Sequence, residues 1–141
     1  MHQFIEFIGN HWLLVSAFGI VLVVLIVTEV RRLKAGATSL EPAAATQLYN
    51  RQDAVFLDVR GEAEFRKAHL PGAVNAPASA LAERLSKLER LKQRPVIVYC
   101  ATGLQSGRAA AELKKAGFGQ IYELKGGFAA WQAAGFPLER K

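Results

Sequence analysis

The feature that most limits this chain is an uncharged apolar run near its start. Trp12 to Thr28 reads WLLVSAFGIVLVVLIVT, and only Glu29 interrupts it before Val30. Seventeen to nineteen such residues in a helix rise roughly 26–29 Å, close to the hydrocarbon thickness of a bilayer. A helix apolar on every face belongs in a large core or in lipid. The residues behind it mix charge and apolar character in the globular way and are numerous enough to bury a modest core of their own. A secretory leader fits less well. The first eleven residues hold no Lys or Arg, and the run is longer than a leader's apolar region. The small residues Ala35-Gly36-Ala37 lie behind Arg31, Arg32 and Lys34 rather than directly after the run. The expectation is a single-pass membrane anchor over residues 1–30, a linker over 31–38 and a folded domain over 39–141.

Charge orients the anchor. Arg31, Arg32 and Lys34 follow the run, whereas Glu6 and two histidines precede it. The positive-inside tendency puts the C-terminal domain in the cytoplasm. The single cysteine cannot form an internal disulfide, which agrees with a reducing compartment. Residues 38–141 carry 15 Lys/Arg against 10 Asp/Glu. Arg84, Lys87, Arg90 and Arg94 recur at helical spacing, but Glu83 and Glu89 break the stripe, so a solvated face explains it better than a lipid or acidic-partner patch. No aromatic interleaving or motif accompanies the basic residues, and nucleic acid is not expected as a partner.

Hydrophobic periodicity alternates strands with helices. Pro42 to about Asn50 predicts a helix with Pro in its first turn. Ala54–Val59 predicts a strand, Glu62–Ala68 a short helix, Leu70–Ala73 a type II turn and Ala73–Asn75 a brief strand. Ser79 is placed to cap a helix reaching about Leu91, with Leu81, Leu85, Leu88 and Leu91 as its apolar stripe. Pro95–Tyr99 is a continuous apolar strand, as expected for burial on both faces of a parallel sheet. A helix over about Gly107–Ala116, a strand over Gln120–Leu124 and a helix over Phe128–Ala134 complete an α/β domain.

Cys100 falls just past the carboxyl end of the central strand, where ligands bind in open α/β sheets. Ala101, Thr102, Gly103, Leu104, Gln105 and Ser106 separate it from a helix. A short loop of this kind can curl its backbone N–H groups around one point, and the helix N-terminus behind it adds positive potential. Gly103 supplies a left-handed turn, and Ser106 is a candidate helix cap. A thiolate there is expected to have a depressed pKa. A lone cysteine at a strand end is more often a small core residue, and only the loop and helix tip the reading towards chemistry. There is no C-x-x-C pair, and three histidines with one cysteine make a zinc site an unfavourable reading.

Ordered motifs across residues 38–141 resemble the rhodanese-like family of single-domain sulfurtransferases. These are Asp58-Val59-Arg60, Glu64-Phe65, His69-Leu70-Pro71-Gly72-Ala73-Val74-Asn75, Cys100-Ala101-Thr102-Gly103-Leu104-Gln105-Ser106, Gly117-Phe118, Leu124-x-Gly126-Gly127, Trp131 and Gly135-x-Pro137. The resemblance implies a mainly parallel central sheet flanked by helices, here preceded by one transmembrane helix. It implies that Cys100 takes the outer sulfur of a donor such as thiosulfate. The backbone N–H groups of residues 101–106 would hold the resulting persulfide. A thiol or sulfur-carrier protein would accept the sulfur, with no metal or organic cofactor. Asp58, Arg60 and His69 then read as structural hydrogen-bonding groups rather than acid–base catalysts, and Trp131 as core. Many members carry Arg or Lys after the cysteine and before the serine; Ala101 and Gln105 stand there instead, leaving Arg108 as the nearest cation in sequence. Two other functions compete: a binding module that recruits a partner to the membrane, and a C-x5-R phosphatase, which would need Arg where Ser106 stands.

Overall fold

The computed structural model describes residues 1–34 and 37–140. The chain divides into two units, Met1–Ala35 and Gly36–Lys141.

The first unit is helical. α1 spans His2–Asn10 and α2 spans Trp12–Lys34, and they are separated at His11, whose φ of −125° leaves the helical range. Phe4, Ile5, Phe7 and Ile8 of α1 are all exposed. So are Trp12, Leu13, Leu14, Phe18 and the aliphatic residues through Val30. None of the Trp12–Arg31 span is buried against the chain itself. α2 runs past the expected end of the anchor at Val30 and into the expected linker, as far as Lys34. Residues 35 and 36 of that expected linker lie outside the described residues, as does Lys141.

The second unit is built on five strands: β1 (Thr38–Leu40), β2 (Val55–Asp58), β3 (Val74–Asn75), β4 (Val96–Tyr99) and β5 (Ile121–Leu124). Their order is β1-β5-β4-β2-β3, and every pairing is parallel. β2 and β4 are neighbours in the middle and are buried at every position. Their side chains divide by the two-residue strand period. Val55, Leu57, Val96 and Val98 join one core with Leu81, Leu88 and Leu91 and with Ala109, Ala110 and Leu113 of α6 (Ser106–Lys115). Phe56, Ile97 and Tyr99 join the other with Ala45 of α3 (Pro42–Gln52) and Trp131 of α7 (Gly127–Ala133). Burial from both sides is why these strands read as unbroken apolar runs.

Two elements differ from expectation. The segment after Pro77 is not one α-helix. It is a 3-10 turn over Ala78–Ala80, one α-helical turn, α5, over Leu81–Arg84 and a 3-10 run over Leu85–Gln93, with α4 (Glu62–Lys67) preceding them in the chain. The apolar spacing accounts for it: Leu85, Leu88 and Leu91 recur every three residues, the period of a 3-10 helix. No strand was expected at β1, whose Thr38 falls at the end of the expected linker and whose Ser39 and Leu40 open the expected domain. It is an edge strand whose Leu40 carbonyl accepts the Lys125 N–H at 2.8 Å.

The carboxyl ends of β2, β3 and β4 are tied by one polar network. The Asp58 carboxylate accepts from the Arg60 backbone N–H (2.8 Å), from Arg60 Nη2 (2.7 Å) and from the Tyr99 hydroxyl (2.8 Å). Arg60 Nη2 also donates to the Ala68 carbonyl at 2.6 Å, which holds the end of α4. Asn75 Nδ2 donates to the carbonyls of Asp58 (3.1 Å) and Arg60 (3.0 Å). Burial alone would lower the Arg60 pKa, but the Asp58 carboxylate outweighs it and the net shift is upward. Burial, then the Asp58 charge, raises Tyr99 so that it stays a neutral donor. His69 Nδ1 lies 2.8 Å from the Phe65 carbonyl and its ring stacks on Phe65. These contacts are structural. Asp58→Ala would leave the buried Arg60 unpaired, and should cost about 3–5 kcal/mol of stability. Denaturant unfolding of the full chain in detergent micelles checks this; a loss below about 1 kcal/mol would contradict the network's role.

Candidate active site

Cys100 continues the side-chain alternation of β4 and lies on the α6 side of the sheet. Only 2% of it is exposed. Its Sγ accepts the backbone N–H of Gly103 at 3.0 Å and of Gln105 at 3.3 Å. The chain must reverse within three residues to bring both amides back to the sulfur. Gly103, at φ +95°, makes that reversal without the strain a side chain would incur.

A second contact explains why these amides point inward. Phe128 N–H donates to the Cys100 carbonyl at 2.8 Å, and Ala129 N–H donates to the Ala101 carbonyl at 3.0 Å. The free amides at the start of α7 therefore pull both carbonyls away from the sulfur. Gly127 makes the approach feasible: it has φ +61°, and a Cβ there would collide with the Cys100 carbonyl oxygen. In sequence, Gly126-Gly127 enters as part of the Leu124-x-Gly126-Gly127 motif, with no sign of this contact to Cys100.

Two opposing effects act on the thiol. Burial raises its pKa. The backbone N–H groups of Gln105, Ser106, Gly103 and Thr102 lower it, and they prevail, so the net shift is downward. No cationic side chain belongs to the loop itself. Ser106 is buried as the first residue of α6 and does not cap the helix: Gln105 occupies the cap position, and the Ser106 hydroxyl lies 3.0 Å from Glu123 Oε1 and 3.3 Å from the Gly103 carbonyl oxygen. Among the donors to Sγ, neither the Ala101 nor the Leu104 amide is found. Ala101 and Thr102 are exposed at the rim, as are Leu104 and Gln105.

The sulfur opens onto a cleft of about 280 Å³ lined by Arg60, Gly61, Glu64, Ala101, Thr102, Leu104 and Gln105. Arg60, Gly61 and Glu64 were not foreseen as site residues. Their place follows from the strand order: β2 and β4 pair in parallel with Asp58 opposite Tyr99, so the residues after each strand emerge side by side. The Arg60 guanidinium sits 4.1 Å from the Phe128 ring and is paired with Asp58. Arg108 is exposed and lines a neighbouring cleft with Ala78, Ser79, Leu104, Gln105 and Glu112. Among the described residues, no three His, Cys, Asp or Glu side chains are grouped to hold a metal ion.

The family model for the rhodanese-like domain matches residues 41–134. The chain belongs to the rhodanese-like family. It is 37% identical over 141 residues to the uncharacterised protein YibN of Escherichia coli K12, covering 99% of each chain. It is 35% identical over 89 residues to the thiosulfate sulfurtransferase GlpE of Coxiella burnetii, covering 63% of this chain and 81% of the relative. The crystal structure of a rhodanese-related protein from Thermoplasma volcanium superposes with a TM-score of 0.66 at 27% identity, over 74% of this chain and 99% of that one. The parallel sheet with helices on both faces is the rhodanese-like fold.

Alkylation of Cys100 by iodoacetamide should show its pH midpoint below the roughly 8.5 of an ordinary cysteine, falling as the thiolate is protonated. Gly127→Ala should move that midpoint upward, because displaced amides leave burial dominant, and should cost about 2–4 kcal/mol of stability. A rhodanese-like loop indifferent to Gly127→Ala in both respects would contradict the clamp.

Proposed function

We propose that this rhodanese-like protein is a membrane-anchored sulfurtransferase that carries sulfane sulfur on Cys100. One observation carries the reading: a buried sulfur faces an open cleft and is held by two inward-turned backbone amides rather than by apolar side chains alone. Thiosulfate is the candidate donor, and the name of the Coxiella relative supports it. The Cys100 thiolate attacks the outer sulfur of thiosulfate, the S–S bond of the donor breaks, and sulfite leaves with the bonding electron pair. The product is Cys100–S–S⁻. The amides of Thr102, Gly103, Gln105 and Ser106, already turned towards the sulfur, stabilise its charge as preorganised dipoles do. An acceptor thiolate or cyanide then attacks the terminal sulfur, and the Cys100 thiolate is restored as leaving group. No metal or organic cofactor takes part.

Intact mass after mixing with thiosulfate tests the central step. The wild-type chain should gain one sulfur and lose it on addition of cyanide, whereas Cys100→Ser should gain none. Sulfur uptake by Cys100→Ser would place the chemistry elsewhere. A binding module with an idle cysteine predicts no uptake by either.

The anchor is the second part of the proposal. Its support is the 20-residue span Trp12–Arg31, none of which is buried against the chain, with α1 adding exposed Phe4, Ile5, Phe7 and Ile8 beside it. The basic residues after the span favour a cytoplasmic domain. Protease added outside intact cells should spare the domain, and protease added after lysis should digest it while membranes retain the N-terminal peptide. Digestion in intact cells contradicts the orientation. A shortened, soluble product lacking residues 1–34 contradicts the anchor and favours a cleaved leader.

A further inference from the structure

The folded unit hides its large apolar side chains with one exception. Among the described residues from 37 to 140, Leu104 is the only large hydrophobic side chain that is exposed, at 89%. A single exposed leucine on an ordinary surface calls for no explanation. This one sits on the loop that surrounds the reactive sulfur. The amides on either side of it, Gly103 and Gln105, are both fixed to Cys100 Sγ. With its two neighbours turned inward, the side chain of Leu104 is directed to the rim. It lines the Cys100 cleft, and it also lines the larger neighbouring cleft of about 590 Å³ with Gln105, Arg108 and Glu112. Leu104 and Gln105, which line both clefts, form the ridge between them, and Leu104 is its apolar part. A group that reaches Sγ by the first cleft and extends into the second passes over that ridge.

The charges of the first cleft point the same way. Its one cation, Arg60, is paired with Asp58, and Glu64 shares the wall. The wall of the first cleft therefore offers an apolar contact and no uncommitted cation among the described residues, and in the second cleft the exposed Arg108 is accompanied by Glu112 of opposite charge.

We infer that Leu104 selects the sulfur acceptor, and that the preferred acceptor is an uncharged thiol on an apolar stem. The inference rests on Cys100 carrying the sulfur as proposed above. The acceptor thiolate, RS⁻, attacks the terminal sulfur of Cys100–S–S⁻. A new S–S bond forms in RS–S⁻, the bond to Cys100 breaks, and its electron pair stays on the Cys100 thiolate. Two negative charges enter and two remain, so no external oxidant or reductant is required. The stem gains by covering Leu104, which gives up contact with water as the transition state forms.

Two neutral thiols that differ in stem length test this: mercaptoethanol and mercaptohexanol. The full chain in detergent micelles is loaded with one sulfur from excess thiosulfate, and loss of that sulfur to each thiol is followed by intact mass. Partition of the longer thiol into micelles is common to all variants and cancels when they are compared. The rate ratio of mercaptohexanol to mercaptoethanol should fall about tenfold in Leu104→Ser and Leu104→Gln, the lower end of what full burial of a leucine supplies. Leu104→Met should keep the ratio within about twofold of wild type, since it preserves apolar volume. An unchanged ratio in the two polar variants, with one sulfur still taken up, overturns the role of Leu104 and leaves the Cys100 chemistry standing. A ratio lost equally in Leu104→Met overturns it as well, because apolarity is then not the cause. Failure of the wild-type chain to take up sulfur overturns both readings together.

Discussion

Two hydrogen bonds hold the rest of the site in place: Phe128 N–H to the Cys100 carbonyl and Ala129 N–H to the Ala101 carbonyl. They set the orientation of the first two peptide units after β4. With both carbonyls drawn towards α7, the chain can return its next amides to the sulfur. The close approach depends on Gly127, where the backbone of the turn nearly touches the Cys100 carbonyl oxygen. The remote C-terminal helix is thereby part of the loop's architecture. The parallel sheet supplies the rest of the frame, since β4 and β5 are neighbours and their carboxyl ends open on the same side.

What the loop achieves electrostatically follows from its lack of side-chain cations. A buried thiolate loses hydration, a penalty of several kcal/mol for an ion. Hydrogen bonds to a charged acceptor return roughly 1.5–3 kcal/mol each. The two amides at 3.0 and 3.3 Å, with those of Thr102 and Ser106 nearby, are enough to turn the balance towards the anion. Arg60 reaches the cleft wall with its charge already committed to Asp58. Binding of a dianion such as the thiosulfate proposed above would therefore be left to backbone dipoles. They orient an anion well, but they lack the bidentate contact that an arginine in the loop would add.

Much of this was legible in the residues. The unbroken apolar stretch Val96–Tyr99 announced a strand buried on both sides, and the cysteine at its end, followed by a glycine-bearing loop and a helix, announced a loop that turns its amides to one point. The Asp58–Arg60 pair and His69 were readable as structural groups. Four features were not. β1 has only Thr38, Ser39 and Leu40, too short and polar to carry a strand pattern, and it exists because β5 offers an open edge. The 3-10 run after Arg84 follows from a spacing of three that a short leucine stripe shares with an α-helix. The clamp from α7 joins residues far apart in the chain, so the sequence around Cys100 contains no trace of it. Arg60 and Glu64 were missed as cleft residues for a similar reason: their proximity depends on the strand order, which puts β2 beside β4.

The central claim is that backbone amides, and not a side-chain cation, hold the charge on the Cys100 sulfur. Amide chemical shifts of the full chain, followed through a pH titration before and after loading with one sulfur, test it most directly. The account predicts that the Gly103 and Gln105 amides move downfield together as the thiolate forms, with a midpoint below that of an ordinary cysteine. They should respond again when the sulfur is added. Amides of the loop that stay fixed while an arginine side-chain signal tracks the same titration would contradict it.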